Sequence, residues 1–199
     1  LIFLGTHGIN WFTEDCGKKM SALNNGRKIN EFVFHPTEKN WILASAYSIC
    51  EDFKNEPCKK YKELYYTKNL GEKWNVLLPY VVQFGWGCKG EKKKKKGIPK
   101  ERILITYEPK GKGDQKQGAW NYKVDLIYTD DFLKTKKTAL HKGNKFLLTE
   151  DYLFVAQVAD QELQEVNLYV SQMNNKKYSF ETISINNGKF LEHSYTFLD

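Results

Sequence analysis

Three short polar side chains recur at similar positions and are the first candidates for chemistry. Each stands two residues after a threonine: Asp15, Asn69 and Asp131 follow Thr13, Thr67 and Thr129. Carboxylates act as general acids or bases, and carboxylate or amide oxygens bind Ca²⁺. The shared spacing favours a structural role instead, because short Asx side chains accept hydrogen bonds from backbone amides of their own turn. We therefore predict self-bonded turns that neither catalyse a reaction nor bind a metal.

The other polar residues form no recognisable catalytic set. A sialidase places three arginines around the substrate carboxylate, which the guanidinium fork matches, and this chain has only Arg27 and Arg102. A glycoside hydrolase needs two facing carboxylates, and the spacing of Asp125, Glu150 and Glu165 singles out no pair. The four cysteines lack CxxC spacing, so no metal site is predicted. The residues therefore single out no catalytic centre and no metal site.

Histidines and a lysine run are candidates for pH sensing and anion binding. His35 and His141 lie in predicted loops, and His7 and His193 lie in or beside strands. Imidazole titrates near neutral pH, but for each we expect a solvated side chain without a sensing role. Residues 92–96 are all lysine and supply five of the seven net positive charges. The rest of the chain is nearly neutral, which argues against a nucleic-acid surface and favours a solvated loop.

Strands must position the polar turns. Around the second turn, alternating apolar and polar residues at 63–67 and 73–78 predict a hairpin. Its turn has the pattern Thr-x-Asn-x-Gly-x-x-Trp, which is an Asp box. The glycine supplies a backbone geometry that a Cβ opposes, and the aromatic side chain packs at the base of the hairpin.

The box recurs along the chain with progressive losses. The first copy has methionine in the aromatic position, and the third has leucine in the glycine position. A fourth strand keeps only Ser171, and the four hydroxyl residues are 54, 62 and 42 positions apart. Such distances separate the blades of a β-propeller. The members of the copies are Thr13, Asp15, Gly17 and Met20; Thr67, Asn69, Gly71 and Trp74; and Thr129, Asp131 and Leu133.

The predicted fold is all-β, a segment of a β-propeller built from four-stranded antiparallel blades with Asp-box hairpins. Short runs rich in Val, Ile, Thr and aromatic residues support strands throughout. We expect three complete blades at 27–80, 81–141 and 142–188, a partial blade at 1–26, and the start of a further blade at 189–199. Trp11, Trp41, Trp74 and Trp86 should pack between blades, and Trp120 should be exposed in a polar loop.

An ordered set of motifs resembles the luminal domain of sortilin-type vacuolar protein sorting receptors, especially their fungal branch. The set comprises Phe-His-Pro at 34–36, Trp-Ile-Leu-Ala-Ser-Ala at 41–46, the box at 67–74 and Tyr-Val-Val-Gln-Phe-Gly-Trp-Gly at 80–87. The likeness continues in order through 127–132, 143–149 and 152–157. The resemblance implies a ten-bladed propeller of which this chain is a part.

The resemblance also implies a binding function, without enzyme activity and without a cofactor. Receptors of this type are membrane-anchored through other parts of the protein, and in the lumen of Golgi and endosomal membranes they bind protein or propeptide cargo. In that oxidising lumen, a disulfide between Cys50 and Cys58 is expected, whereas Cys16 and Cys88 are not expected to pair with each other. The alternatives are a structural propeller scaffold and a fragment of an Asp-box glycoside hydrolase.

Overall fold

The computed structural model describes residues 1–5, 10–23, 29–48, 61–88, 98–109, 124–160, 162–163, 165–173, 177–184 and 190–191. Every regular element in these ranges is a β-strand. The strands are β1 Ile2–Leu4, β2 Asn10–Phe12, β3 Ser21–Ala22, β4 Ile29–Phe34, β5 Ile42–Tyr47, β6 Lys62–Thr67, β7 Asn75–Leu78, β8 Val81–Trp86, β9 Ile103–Tyr107, β10 Asp125–Thr129, β11 Lys137–Leu140, β12 Gly143–Leu148, β13 Tyr152–Asp160, β14 Glu165–Gln172, β15 Glu181–Ile183 and β16 Phe190–Leu191.

The strands form four antiparallel sheets in two compact units, Leu1–Pro79 and Tyr80–Asp199. The first unit contains the sheet β1-β2-β3 and the sheet β4-β5-β6-β7. The second contains β8-β9-β10-β11 and β12-β13-β14-β15, with β16 also paired to β14. Apart from β16, neighbours in each sheet are consecutive in sequence, which is the up-and-down order of a propeller blade. The fold is a segment of a β-propeller, as the sequence predicts.

Burial explains why the second strand of a blade is the most apolar. All five residues of β9 are buried, and so are the first five of the six residues of β5. A strand that is covered on both faces has a continuous apolar run instead of an alternating one. The fourth strands β7 and β11 mix exposed and half-buried residues, and neither has a fully buried position.

A register shift recurs at the start of three sheets. The pairing of the first strand with the second slips between Ile29 and Glu31, between Val81 and Gln83, and between Gly143 and Lys145. A bulge of this kind inserts one extra residue and increases the local twist of the strand. The three sheets therefore repeat a backbone irregularity near the start of their first strands, although the sequences at these positions share no motif.

The two sheets of the second unit share one apolar core. Leu104, Leu126 and Tyr128 from the first sheet pack with Phe146, Leu153 and other residues of the second. The side-chain amide of Gln83 adds a polar connection: its Nε2 donates to the Phe146 carbonyl at 2.8 Å, and its Oε1 accepts the Phe146 N–H at 2.9 Å. One side chain thus completes both backbone hydrogen bonds of a residue in the next sheet.

The last described strand lies at the edge of the sheet β12-β13-β14-β15, and a further blade beginning at 189–199 stays a prediction. Phe190 and Leu191 pair with Val166 and Glu165 at the start of β14, whereas β15 pairs with Leu168–Val170 of the same strand. Two short strands therefore share one edge of β14. Residues 192–199 lie outside the described part of the chain.

Candidate functional site

The first box is a turn that satisfies its own polar groups. Thr13 Oγ1 donates to Asp15 Oδ1 at 2.9 Å and accepts the Gly17 N–H at 2.8 Å. The same carboxylate oxygen accepts the Lys19 N–H at 2.8 Å. Met20, in the aromatic position, is 43% exposed and so is not the buried residue that this position of a box calls for.

The second box repeats this network with an amide. Thr67 Oγ1 donates to Asn69 Oδ1 at 2.7 Å and accepts the Gly71 N–H at 3.1 Å, and Asn69 Oδ1 accepts the Lys73 N–H at 3.1 Å. The half-buried Trp74 donates from Nε1 to the Leu23 carbonyl at 2.6 Å. The aromatic residue therefore connects its own hairpin to the sheet that precedes it in the first unit.

The third box keeps the network although it lacks the glycine. Thr129 Oγ1 donates to Asp131 Oδ1 at 2.8 Å and accepts the Leu133 N–H at 2.9 Å. Asp131 also accepts hydrogen bonds from the Thr135 N–H at 2.9 Å and from Thr135 Oγ1 at 2.6 Å. Leu133 adopts a φ of 66°, a left-handed conformation that costs an L-residue with a Cβ roughly 1–2 kcal/mol.

All three turns place two successive residues in the left-handed region. The φ values are 58° and 96° at Cys16 and Gly17, 54° and 92° at Leu70 and Gly71, and 56° and 66° at Phe132 and Leu133. The backbone shape of the box is thus kept even where the sequence has lost its glycine. Ser171, by contrast, is buried without a box, and its Oγ accepts the Ser179 N–H at 3.0 Å.

The box carboxylates are held in their ionised form. The Lys19 N–H lowers the pKa of Asp15, and Thr13 and Lys18 add to that effect. Hydrogen bonds from Thr135 lower the pKa of Asp131 to about 2. A carboxylate whose oxygens already accept hydrogen bonds within its own turn is a poor general acid at neutral pH.

The acid dependence of the third box provides a test. Because Asp131 has a lower pKa in the folded chain than its ordinary value of 3.8, its contribution to stability is complete above about pH 4 and is lost as the pH falls towards about 2. Asp131→Asn should keep the turn, since Asn69 fills this position in the second box. We expect its urea midpoint at pH 7 to match wild type, with a shallower fall between pH 4 and pH 2.

The control for that measurement is Glu162→Gln, a change at an exposed residue outside the boxes. Its midpoint should follow wild type over the whole pH range. A profile for Asp131→Asn that runs parallel to wild type below pH 4 would contradict the role assigned to Asp131.

A large charged side chain, that of Arg102, is buried away from the boxes. Its side chain is 1% exposed, Nε donates to Asp130 Oδ1 at 2.6 Å, and Nη2 donates to Oδ2 at 2.9 Å. The guanidinium carbon lies 4.7 Å from the centroid of the Tyr128 ring and 5.5 Å from that of Tyr178, and burial raises the pKa of the Tyr178 phenol to about 12. Gly87 makes room, because a Cβ there would lie 2.4 Å from Arg102 Cγ.

Arg102 is therefore enclosed within the second unit and is not presented to a ligand carboxylate in solution. The other arginine, Arg27, lies outside the described residues. Asp125 accepts hydrogen bonds from the Lys142 N–H at 3.0 Å and lies 3.3 Å from His141 Nδ1, whereas Glu150 is exposed in a separate turn. Within the part of the chain that the structure describes, no group of three or more His, Cys, Asp or Glu side chains could hold a metal ion.

Comparison with known proteins identifies the family. The Sortilin-Vps10 family profile, described as "Sortilin, neurotensin receptor 3", matches residues 1–199. The chain belongs to the Sortilin-Vps10 family. This agrees with the resemblance that the ordered motifs indicate, and the propeller sheets are the fold expected from it.

Relatives of this Sortilin-Vps10 chain are fungal sorting proteins at low identity. Vacuolar protein sorting/targeting protein 10 of Paracoccidioides brasiliensis strain Pb03 is 21% identical over 202 residues, covering 99% of this chain and 13% of the relative. The protein of the same name from Mycosarcoma maydis is 28% identical over 148 residues, covering 74% of this chain and 9% of the relative. The chain thus spans a small part of the length of these relatives.

Among solved structures, an α-L-arabinofuranosidase Arb93A from Fusarium graminearum, in complex with an iminosugar inhibitor, aligns with a TM-score of 0.35. The sequence identity is 13%, and the alignment covers 90% of this chain and 59% of that chain. Similarity at this level does not bear on activity. No stretch of the described residues forms a helix of the length and apolarity that crossing a membrane requires.

The remaining predicted sites of the Sortilin-Vps10 chain are only partly described. Cys50 and Cys58 lie outside the described residues, so their disulfide stays a prediction. In the part of the chain that the structure describes, Cys16 is exposed, and Cys88 is half-buried with its Sγ 4.0 Å from the Lys100 carbonyl oxygen. The lysine run at 92–96 and Trp120 also lie outside the described ranges.

Two expectations about single residues are wrong. Trp11 does not pack in a core, because 41% of it is exposed on β2, where it is paired with the exposed Phe3. His35 is not solvated, because only 5% of it is exposed. The solvated assignment holds for His141, whose side chain is 78% exposed, while His7 and His193 lie outside the described residues.

Sequence reasoning did not find the Arg102 cluster or the Gln83 connection. Gln83 and Asp130 lie in the stretches 80–87 and 127–132 that carry the family resemblance, but neither stretch indicates which residue each side chain contacts. His35 carried a partial signal, since the His-Pro pair at 35–36 marks a turn. The Leu23 carbonyl that receives the Trp74 N–H carries no side-chain signal at all.

Proposed function

We propose that the chain is a cargo-binding segment of a transmembrane sorting receptor that carries soluble proteins from the Golgi to the endosome or vacuole. The observation that supports the proposal is the Sortilin-Vps10 match over residues 1–199, together with the propeller sheets. The named relatives are vacuolar sorting proteins. The segment would lie in the lumen of Golgi and endosomal membranes and would be anchored through parts of the protein outside it.

The proposed partner is a protein or propeptide, and the proposed activity is binding without turnover. The box carboxylates accept hydrogen bonds within their own turns, and Arg102 forms an ion pair with Asp130. These groups therefore stabilise the scaffold, and cargo contacts fall to the loops and first strands that the scaffold presents. No cofactor is required for such binding, and the near-neutral charge outside residues 92–96 does not favour nucleic acid.

Cargo capture tests the proposal. The complete luminal domain, immobilised at pH 7, should retain a defined set of soluble vacuolar proteins or propeptides, and acidification to pH 5 should release them. We expect affinity to fall at least tenfold over that interval, in which histidine titrates. Retention of no luminal protein, or measurable hydrolysis of glycans by the purified domain, would overturn the receptor assignment.

The position of the cargo site is tested by removing five lysines from the run at 92–96 and, separately, five lysines elsewhere. Replacing the five lysines at 92–96 by serine should reduce cargo affinity less than threefold if the first strands of the blades provide the site, because an isolated charged loop is screened by salt. A control removes five exposed lysines outside the first strands and outside the run: Lys18, Lys19, Lys39, Lys73 and Lys177. A much larger loss from the run than from the control would assign the site to the loop.

A further inference from the structure

A buried histidine closes the turn between β4 and β5. Nδ1 of His35 accepts the Glu38 N–H at 2.9 Å and the Thr37 N–H at 3.1 Å, and Thr37 Oγ1 lies 3.3 Å from it. The His35 N–H donates to the Trp41 carbonyl at 2.9 Å, and the Trp41 N–H donates to the Glu38 carbonyl at 3.0 Å. We call the imidazole and the two amides that it accepts the His35 cap. Only 5% of His35 is exposed, so water cannot readily replace the ring as acceptor.

The cap defines where the proton of the imidazole resides. Two N–H donors converge on Nδ1, so this nitrogen must offer its lone pair, and the neutral ring carries its hydrogen on Nε2. A second proton would have to bind Nδ1, opposite two donors. The imidazolium can therefore form only when the ring leaves the Thr37 and Glu38 amides, and those amides then lose their acceptor.

The cap also supports the neighbouring box turn. The Asn40 carbonyl, within the capped turn, accepts the Leu70 N–H from the second box at 3.1 Å. The ring of Trp41 meets His35 edge-on with centroids 5.3 Å apart, and Lys68 Nζ lies 4.6 Å from the Trp41 ring centroid. A change in the capped turn is thus transmitted to the backbone of the second box, whose strands are β6 and β7.

Charged groups of both signs lie on the two turns, so their electrostatic effects on the imidazole oppose one another. The carboxylate of the box turn already accepts a hydrogen bond, because Asn69 Nδ2 donates to Glu72 Oε2 at 3.2 Å. The hydrogen bonds to Nδ1 therefore decide the outcome of protonation. The charged residues of the capped turn are Glu38 and Lys39, and those of the box turn are Lys68, Glu72 and Lys73.

We infer that the His35 cap is an acid-sensitive switch that loosens the β4–β5 turn and its contact with the second box when His35 is protonated. Acid weakens the cap because only the neutral imidazole can accept the two amide hydrogen bonds. The cap is therefore complete while the ring is neutral, and it is lost as a falling pH forces a proton onto Nδ1. The switch belongs to the fold of this blade and does not depend on the proposed cargo function.

Amide hydrogen exchange of the full chain tests the switch. Protection factors, corrected for the intrinsic pH dependence of exchange, are measured at pH 7.5 and pH 5.0 for the amides of Thr37, Glu38 and Leu70. In wild type they should fall at least tenfold at the lower pH. His35→Asn places an acceptor oxygen near the position of Nδ1 without a titrating group, so its protection should be independent of pH.

The control is His141→Gln, which removes the exposed histidine and should behave as wild type. In wild type, nitrogen NMR of the His35 ring should show Nδ1 gaining its proton over the same pH range in which the three amides lose protection. Equal wild-type protection at both pH values would overturn the switch, as would an unchanged pH response in His35→Asn. If His35→Asn does not fold, ring protonation without loss of amide protection in wild type would overturn it.

Discussion

Gly71→Ala is expected to lower the free energy of unfolding by about 2–5 kcal/mol, and to do so more than any other single methyl addition in the boxes. Gly71 has a φ of 92°, where an L-residue with a Cβ costs roughly 1–2 kcal/mol. The added Cβ would also lie 2.3 Å from Leu23 Cδ2 and 3.1 Å from the Leu23 carbonyl oxygen. Leu23 is only 2% exposed, so it has little room to move, and overpacking adds about 1–3 kcal/mol.

Gly17 provides the matched control for this prediction. Its φ of 96° is nearly the same, yet a Cβ there meets nothing within 4 Å. Gly17→Ala should therefore show the backbone cost alone, about 1–2 kcal/mol. Urea unfolding of both variants measures the difference. Equal losses would mean that the contact with Leu23 relaxes without cost.

Asp130→Ala should be comparably severe, at about 3–5 kcal/mol, because it leaves the guanidinium of Arg102 buried without its carboxylate. The two hydrogen bonds, at 2.6 and 2.9 Å, account for Nε and Nη2, and the aromatic rings of Tyr128 and Tyr178 cover the remaining charge. Those rings cannot accept the hydrogen bonds that the carboxylate accepts. The loss should appear in the urea midpoint of the second unit.

A double variant distinguishes the effect of an unpaired buried charge from the effect of lost side-chain packing. Arg102→Met removes the buried charge but keeps an unbranched chain beside Gly87, where a Cβ at residue 87 would meet Arg102 Cγ. Adding Arg102→Met to Asp130→Ala should restore part of the lost stability, since no unpaired charge remains. If the double variant is less stable than Asp130→Ala alone, the unpaired guanidinium is not the source of the loss.

The fold could be predicted from the sequence because strand patterns and the Asp box recur at regular distances along the chain. Alternating strands and the repeated spacing from Thr67 to Gly71 indicate hairpins at blade-like distances, and the structure has strands at all of these places. Leu133 shows where this reasoning reaches its limit. A leucine argues against a left-handed residue, yet the hydrogen bonds of Thr129 and Asp131 hold it at a φ of 66°.

The environments of two single residues could not be predicted. The sequence places His35 in a loop, but its ring accepts the amides two and three residues later and meets the Trp41 ring, and these contacts bury it. The sequence predicts Trp11 to be a core aromatic, but its described neighbours on the adjacent strands are the exposed Phe3 and Ala22. The alternation of residues along a strand predicts which face of the sheet a side chain lies on. It does not predict which residues pack against that face.

The paired hydrogen bonds of Gln83 set the stagger between two successive blades. A single bond would let Phe146 pivot, whereas donor and acceptor on one planar amide define both distance and direction. Because successive residues of a strand point their backbone groups to opposite edges, sliding β12 by one residue would remove both bonds at the same moment. The joint therefore excludes a slip of one residue, and a single glutamine side chain bridges the two strands.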